Sequence, residues 1–173
     1  MQPKIKTMNQ HFEKAFHELI MIEGGYVNDP MDRGGETKYG ISKKAYPHLD
    51  IKNLTLQDAK DIYLEDYWKA SGSHHMLKYD LALELFDTGV NMGQGIARRF
   101  LQEALNLMNR NGRDFPDLEV DGKIGPITIS AYKKVDDTIL LKVLNGLQFM
   151  RYVWICEERP DQEKYFNGWM KRV

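Results

Sequence analysis

One cysteine, Cys156, stands among the 173 residues, so no internal disulfide can form and no zinc site can be built on cysteines. An excess of either charge is also missing: 24 Lys and Arg against 25 Asp and Glu leave a formal charge of −1 at pH 7. A dedicated nucleic-acid binder normally carries a clear basic surplus, and that class is set aside. No run approaches the roughly eighteen consecutive apolar residues of a membrane span. Residues 1–10 are polar and lack the apolar centre of a secretory leader. Strand-like alternation is almost absent, and there is no internal repeat or low-complexity tract. His74-His75 has no third ligand at a recognisable spacing, so we expect no metal and no cofactor, and an exposed loop for this pair.

What remains is ordinary globular composition, 42% hydrophobic and 28% charged. A chain of this length buries about 70% of the surface that it exposes when unfolded, enough for a conventional core. Helical spacing dominates. Phe12, Ala15, Phe16, Leu19, Ile20 and Ile22 predict an amphipathic helix over residues 10–23, closed by Gly24-Gly25. Thr55 followed by Asp58 reads as a helix N-cap with an acid in the first turn. Residues 79–92 are apolar on most faces, which predicts the central buried helix, with Leu81, Leu85 and Phe86 inside. A further stripe runs from Ile96 to Met108 and stops at Asn111-Gly112. Pro126 opens another helix. The longest helix is expected over 137–157, with Leu140, Val143, Leu144, Leu147 and Trp154 inward and Cys156 buried. The fold class is therefore mainly α, with about seven helices and at most one small hairpin.

Chemistry concentrates in the glycine-rich stretch that follows the first helix. Glu23 closes that helix at the negative end of its dipole, where a carboxylate is disfavoured. If the apolar face also shields it, its pKa rises toward the value that a general acid needs. The other reading of Glu23 is a solvated helix-end residue. Asp32 lies nine residues on, in a turn rich in glycine; Asp29 and Asp32 also suit turns for purely local reasons. A protonated carboxyl and an ionised one flanking a bond is the arrangement of glycoside hydrolysis. Thr37 can hold a water or a sugar hydroxyl.

Glu23-Gly24-Gly25-Tyr26, then Asp32-x-Gly34-Gly35-x-Thr37-x-x-Gly40-Ile41, resembles glycoside hydrolase family 108, the N-acetylmuramidases once labelled secretion activators. The order of Glu, Asp and Thr is also similar to that of phage-type lysozymes. The resemblance runs over nearly the whole chain and takes in Tyr63, Tyr67-Trp68 and Phe86-Asp87-Thr88-Gly89-Val90-Asn91. It implies a lysozyme-like fold, Glu23, Asp32 and Thr37 as catalytic residues, and Tyr26, Tyr39, Asp87 and Asn91 as substrate-binding residues.

Leu101-Gln102-x-x-Leu105-Asn106 and Val120-Asp121-Gly122-Lys123-Ile124-Gly125-Pro126-x-Thr128 resemble a peptidoglycan-binding motif, whose glycines any tight turn into a helix would also require. Phe166-Asn167-Gly168-Trp169-x-x-Arg172 resembles the family's closing motif, its Trp being read as a packing anchor. The expected organisation is a catalytic region over 1–93 and a peptidoglycan-binding-like region over 94–173, packed as one unit. By resemblance the activity is hydrolysis of the β-1,4 bond between N-acetylmuramic acid and N-acetylglucosamine. The alternatives are a lytic transglycosylase that uses Glu23 alone, and a wall-binding or secretion-related protein without catalysis. The expected partner is the peptidoglycan glycan strand, with no nucleic acid and no membrane span. We expect a monomer, endolysin-like and cytoplasmic until it is released or exported without a signal peptide. Lys133-Lys134 and Lys171-Arg172 are expected on solvated faces.

Overall fold

Nothing in the sequence between Lys4 and Ile22 breaks a helix, and α1 accordingly runs Pro3–Ile22, starting earlier than residue 10. Proline is tolerated in a first helical turn, where its missing N–H has no partner to lose. The computed structural model describes the backbone of residues 3–22, 25–28 and 35–173, and the side chains of 10–19, 25–28 and 35–173. Phe12, Ala15, Phe16 and Leu19 form the buried stripe of α1.

The chain divides into two compact units, Met1–Trp68 and Lys69–Val173. In the first, strands β1 (Thr37–Lys38) and β2 (Ile41–Ser42) pair antiparallel, Thr37 opposite Ser42 and Lys38 opposite Ile41. Their two-residue turn holds Tyr39 at φ 52° and Gly40 at φ 75°, the left-handed pair that matches hairpin twist. Helix α2 (Leu56–Ile62) opens with a reciprocal capping box. Thr55 Oγ1 accepts from Asp58 N at 3.1 Å, and Thr55 N donates to Asp58 Oδ2 at 3.0 Å. The helix widens into a π-helical stretch, Tyr63–Lys69. An aromatic cluster locks that stretch to α1: Phe12 lies 5.6 Å from Trp68 and Phe16 lies 5.8 Å from Tyr63, ring centre to ring centre.

The second unit begins with a 3-10 turn, Ser73–His75, then α3 (Tyr79–Met92) and α4 (Gln94–Met108). After a long loop come α5 (Pro126–Tyr132), α6 (Asp137–Glu158), a 3-10 turn Pro160–Gln162, and α7 (Glu163–Trp169). As expected, α3 is central: it packs on both α4 and α6, and Leu81, Leu85 and Phe86 are each 1% exposed. Seven α-helices and one two-stranded sheet among the described residues make the fold mainly α and lysozyme-like.

Four expectations about side chains need correction. The inner row of α6 is Leu140, Leu144, Gln148 and Tyr152, while Trp154 is 47% exposed on the outer face. A row at four-residue spacing drifts slowly around a helix, and two polar-tipped residues continue it where the leucines stop. Cys156 is half-exposed instead of buried. His74 and His75 are half-buried in the 3-10 turn with ring centres 3.8 Å apart, and burial lowers the pKa of His75. Arg172 is not free on a solvated face but pairs with Asp87. By length and composition alone α6 could cross a membrane, with a mean hydropathy of 1.2 over its best window. Its buried row against the second unit's core makes that weak support for a span.

Candidate functional site

The catalytic residues expected from the sequence follow α1 along the chain. Glu23 follows directly on Ile22, the last residue of that helix; Glu23, Asp29 and Asp32 lie outside the described residues. Val27 and Thr37 exchange two backbone hydrogen bonds, each 2.8 Å, and so close residues 28–36 into one loop. Thr37 is thereby shared between this bridge and the β1–β2 hairpin. Among the described residues its hydroxyl donates one long bond, to Gly35 O at 3.4 Å.

Tyr26 is 39% exposed beside the bridge. Partial desolvation, and then neighbouring Glu36, raise its phenol pKa, so the hydroxyl serves as a neutral donor. Tyr39 sits at the strained corner of the hairpin turn, a conformation that costs a non-glycine residue on the order of 1 kcal/mol. The buried Tyr63 donates its hydroxyl to Tyr39 O at 3.1 Å and pins that corner. Tyr63 is therefore a supporting residue of the turn, and its neighbour Tyr67 packs on it at 5.1 Å. The bridge and the hairpin thus gather Tyr26, Thr37 and Tyr39 onto one short stretch of backbone.

Asp87 and Asn91 belong to the second unit, one turn apart on α3, and they are joined to each other. Asn91 Nδ2 donates to Asp87 Oδ1 at 3.1 Å. The remaining capacity of Asp87 goes to Arg172 at 2.5 Å and Gln148 at 3.2 Å. Below them Glu84 is 7% exposed, and its carboxyl is pushed up to about 7, first by burial and then by Asp87. Thr88 Oγ1 donates to Glu84 Oε1 at 3.2 Å, opposing that rise. The Asn145 amide, oriented by its surroundings, donates to Glu84 Oε2 at 3.1 Å. The sequence reading missed Glu84 because a lone acid in an apolar helix carries no spacing signal.

The Asp121-Gly122 turn is held from α4. Gln102, 2% exposed, accepts from Gly122 N at 2.7 Å and donates to Asp121 Oδ1 at 2.9 Å. Gly122 sits at φ 75°, which favours glycine. Asn106 makes a matching pair with Leu118, 2.8 and 2.7 Å. The motif residues Gln102, Asn106, Asp121 and Gly122 are thus structural. So is Trp169, stacked on Tyr152 at 4.9 Å with 15° between the rings. Among the described residues, no group of three or more His, Cys, Asp or Glu could hold a metal ion.

Seven helices and one small hairpin among the described residues define the class: a mainly α, lysozyme-like fold. Residues 16–93 match the family model described as glycosyl hydrolase 108, and residues 96–173 match one described as a predicted peptidoglycan domain. The chain thus carries a glycosyl hydrolase 108 match over its N-terminal part, followed in tandem by the peptidoglycan-domain match. The chain is similar to a solved structure titled "Structure of Brucella abortus SagA", with 26% identity, 95% of this chain and 90% of that chain covered, and a TM-score of 0.74. No curated protein matches it. These two regions in tandem make it a peptidoglycan hydrolase.

Proposed function

We propose that the chain is an N-acetylmuramidase that cleaves the β-1,4 bond from N-acetylmuramic acid to N-acetylglucosamine. The observation that supports this reading is the Val27–Thr37 bridge, which brackets the sequence segment carrying Asp32 within the family-matched region. Glu23 protonates the leaving glycosidic oxygen. In sequence it directly follows α1, whose C-terminal end disfavours a charged carboxylate. Asp32, ionised, stabilises the positive charge that develops at the sugar carbon or orients the water that attacks it. That water contributes its oxygen to the sugar carbon, and its proton returns to a carboxylate. Thr37 holds the water or a sugar hydroxyl, and Tyr26 and Tyr39 offer hydroxyls and ring faces to the glycan.

The test is Glu23→Gln on purified cell walls, with clearing and product analysis as readouts. Loss of general acid help is typically worth about 10²–10⁴ in rate. The wild type should release new reducing ends. Anhydro-muramoyl ends would replace hydrolysis with transglycosylation, and wild-type turnover in the Gln variant at matched thermal stability would exclude Glu23 as the acid.

A further inference from the structure

The roles proposed above for Glu23, Asp32, Thr37, Tyr26 and Tyr39 leave unused a cavity of about 270 Å³ within the second unit, lined from the α3–α4 corner, α6 and α7. Asn91, Arg151 and Arg159 contribute its polar lining, and Ile155, Tyr152 and Trp169 its apolar lining. The two arginines differ from four others in the second unit. Arg110 and Arg172 are paired with carboxylates, and Arg98 and Arg99 donate to backbone carbonyls. Among the described residues, neither Arg151 nor Arg159 has a carboxylate partner, and the cavity lining contains no acid. Nearby Asp87 does not offset them, since Arg172 already neutralises it.

The walls are also fixed in advance. The Arg151 guanidinium lies 4.3 Å from the centre of the Trp154 ring, which limits its motion. Trp169 is held flat on Tyr152. Arg151 and Arg159 both line this small concave space, and guanidinium forks are suited to carboxylates, which they can bind through paired hydrogen bonds. The volume is near the lower end of ligand pockets, on the order of 300 Å³, and suits one or two residues of a peptide. The Ile155 and Trp169 surfaces favour short apolar side chains over a hydroxyl-rich polymer. In peptidoglycan the lactyl carboxyl is consumed in an amide, so the free carboxylates belong to the peptide arms.

We propose that this cavity binds the free carboxylates of a peptidoglycan stem peptide. The second unit then reads the peptide arm while the glycan is cut elsewhere. This rests on the wall-hydrolase reading above and names what its second region recognises.

The probe is the free tetrapeptide L-Ala-γ-D-Glu-L-Lys-D-Ala, titrated calorimetrically into the full-length chain, with the peptide amidated at both carboxyls as control. The wild type should bind the free acid saturably. Arg151→Gln with Arg159→Gln should weaken binding by about tenfold or more, as should amidation of the peptide. Arg159→Gln alone, at an exposed position, gives a smaller loss in the same direction and guards against a double variant that fails to fold. The proposal is overturned if the free acid does not saturate, if both forms bind alike, or if a folded arginine variant binds like the wild type. Arginine-dependent binding of poly(glycerol phosphate) in preference to the peptide overturns it too. Wild-type cleavage of peptide-free glycan separates the two readings: cleavage without tetrapeptide binding leaves the hydrolase standing and removes only the peptide site.

Discussion

Glu84→Gln replaces a buried carboxyl by an uncharged amide of nearly the same shape. The wild-type carboxyl is 7% exposed and is raised from 4.5 to about 7, mainly because burial removes its water and secondly because Asp87 lies one turn along α3. The polar groups around it are Thr88 from α3, Asn145 and Tyr152 from α6, Gln148 acting through Thr88, and Arg172 from beyond α7, acting through Asp87. A carboxyl whose folded pKa exceeds its unfolded one binds its proton more tightly when folded. Its contribution to stability is then complete below about pH 4.5 and fades as pH rises through about 7. That rise corresponds to about 3 kcal/mol. The assay is urea unfolding, followed by circular dichroism, at a series of pH values from 4 to 9. Between the two ends the wild type should lose about 3 kcal/mol more than the Gln variant, with most of the loss between roughly pH 5 and 7.5. Parallel curves for the two proteins would refute the assignment of Glu84 as a buried acid that is neutral at low pH.

Leu85→Ala removes a side chain 1% exposed at the centre of α3 and should cost about 2–5 kcal/mol in the same unfolding assay; a loss under about half a kcal/mol would place the core elsewhere. Thr55→Ala deletes the capping box of α2 and should lower stability by about 0.5–2 kcal/mol, with little effect on wall clearing. Asp32→Asn should cut turnover sharply at nearly unchanged melting temperature, because Asn keeps the turn-forming hydrogen bonds. Asp29→Asn, just before Pro30, should be milder in catalysis; the opposite ranking would exchange their roles.

Local chemistry was legible wherever partners lie within a few residues. Thr55 and Asp58 announce their cap because both halves of the box sit three residues apart. Leu81, Leu85 and Phe86 announce the core because no polar face competes with them. Spacing failed on α6, where Gln148 and Tyr152 take inner positions that hydropathy alone would give to Trp154. The π-helical stretch was equally invisible: Tyr63–Lys69 keeps an apolar pattern close to that of an α-helix, and the wider turn comes from packing. At the site, the β1–β2 hairpin was readable from turn residues, whereas Tyr63 as a brace for Tyr39 was not, because 24 residues separate them. The partnership of Asp87 with Arg172 has no local trace at all.

That partnership spans 85 residues and governs the order in which the second unit can assemble. Helices α3 and α4 meet across a single glycine, Gly93, so their pairing closes almost no loop and belongs to the early events of folding. The segment after α6 must instead return over a long stretch of chain before Arg172 reaches α3, a closure with a larger entropic cost. In the interval Glu84 and Asp87 stand as neighbouring acids on the central helix with no guanidinium between them and the growing core. The last step of assembly is then as much a neutralisation as a packing event, and added salt should ease the wait by screening the exposed pair.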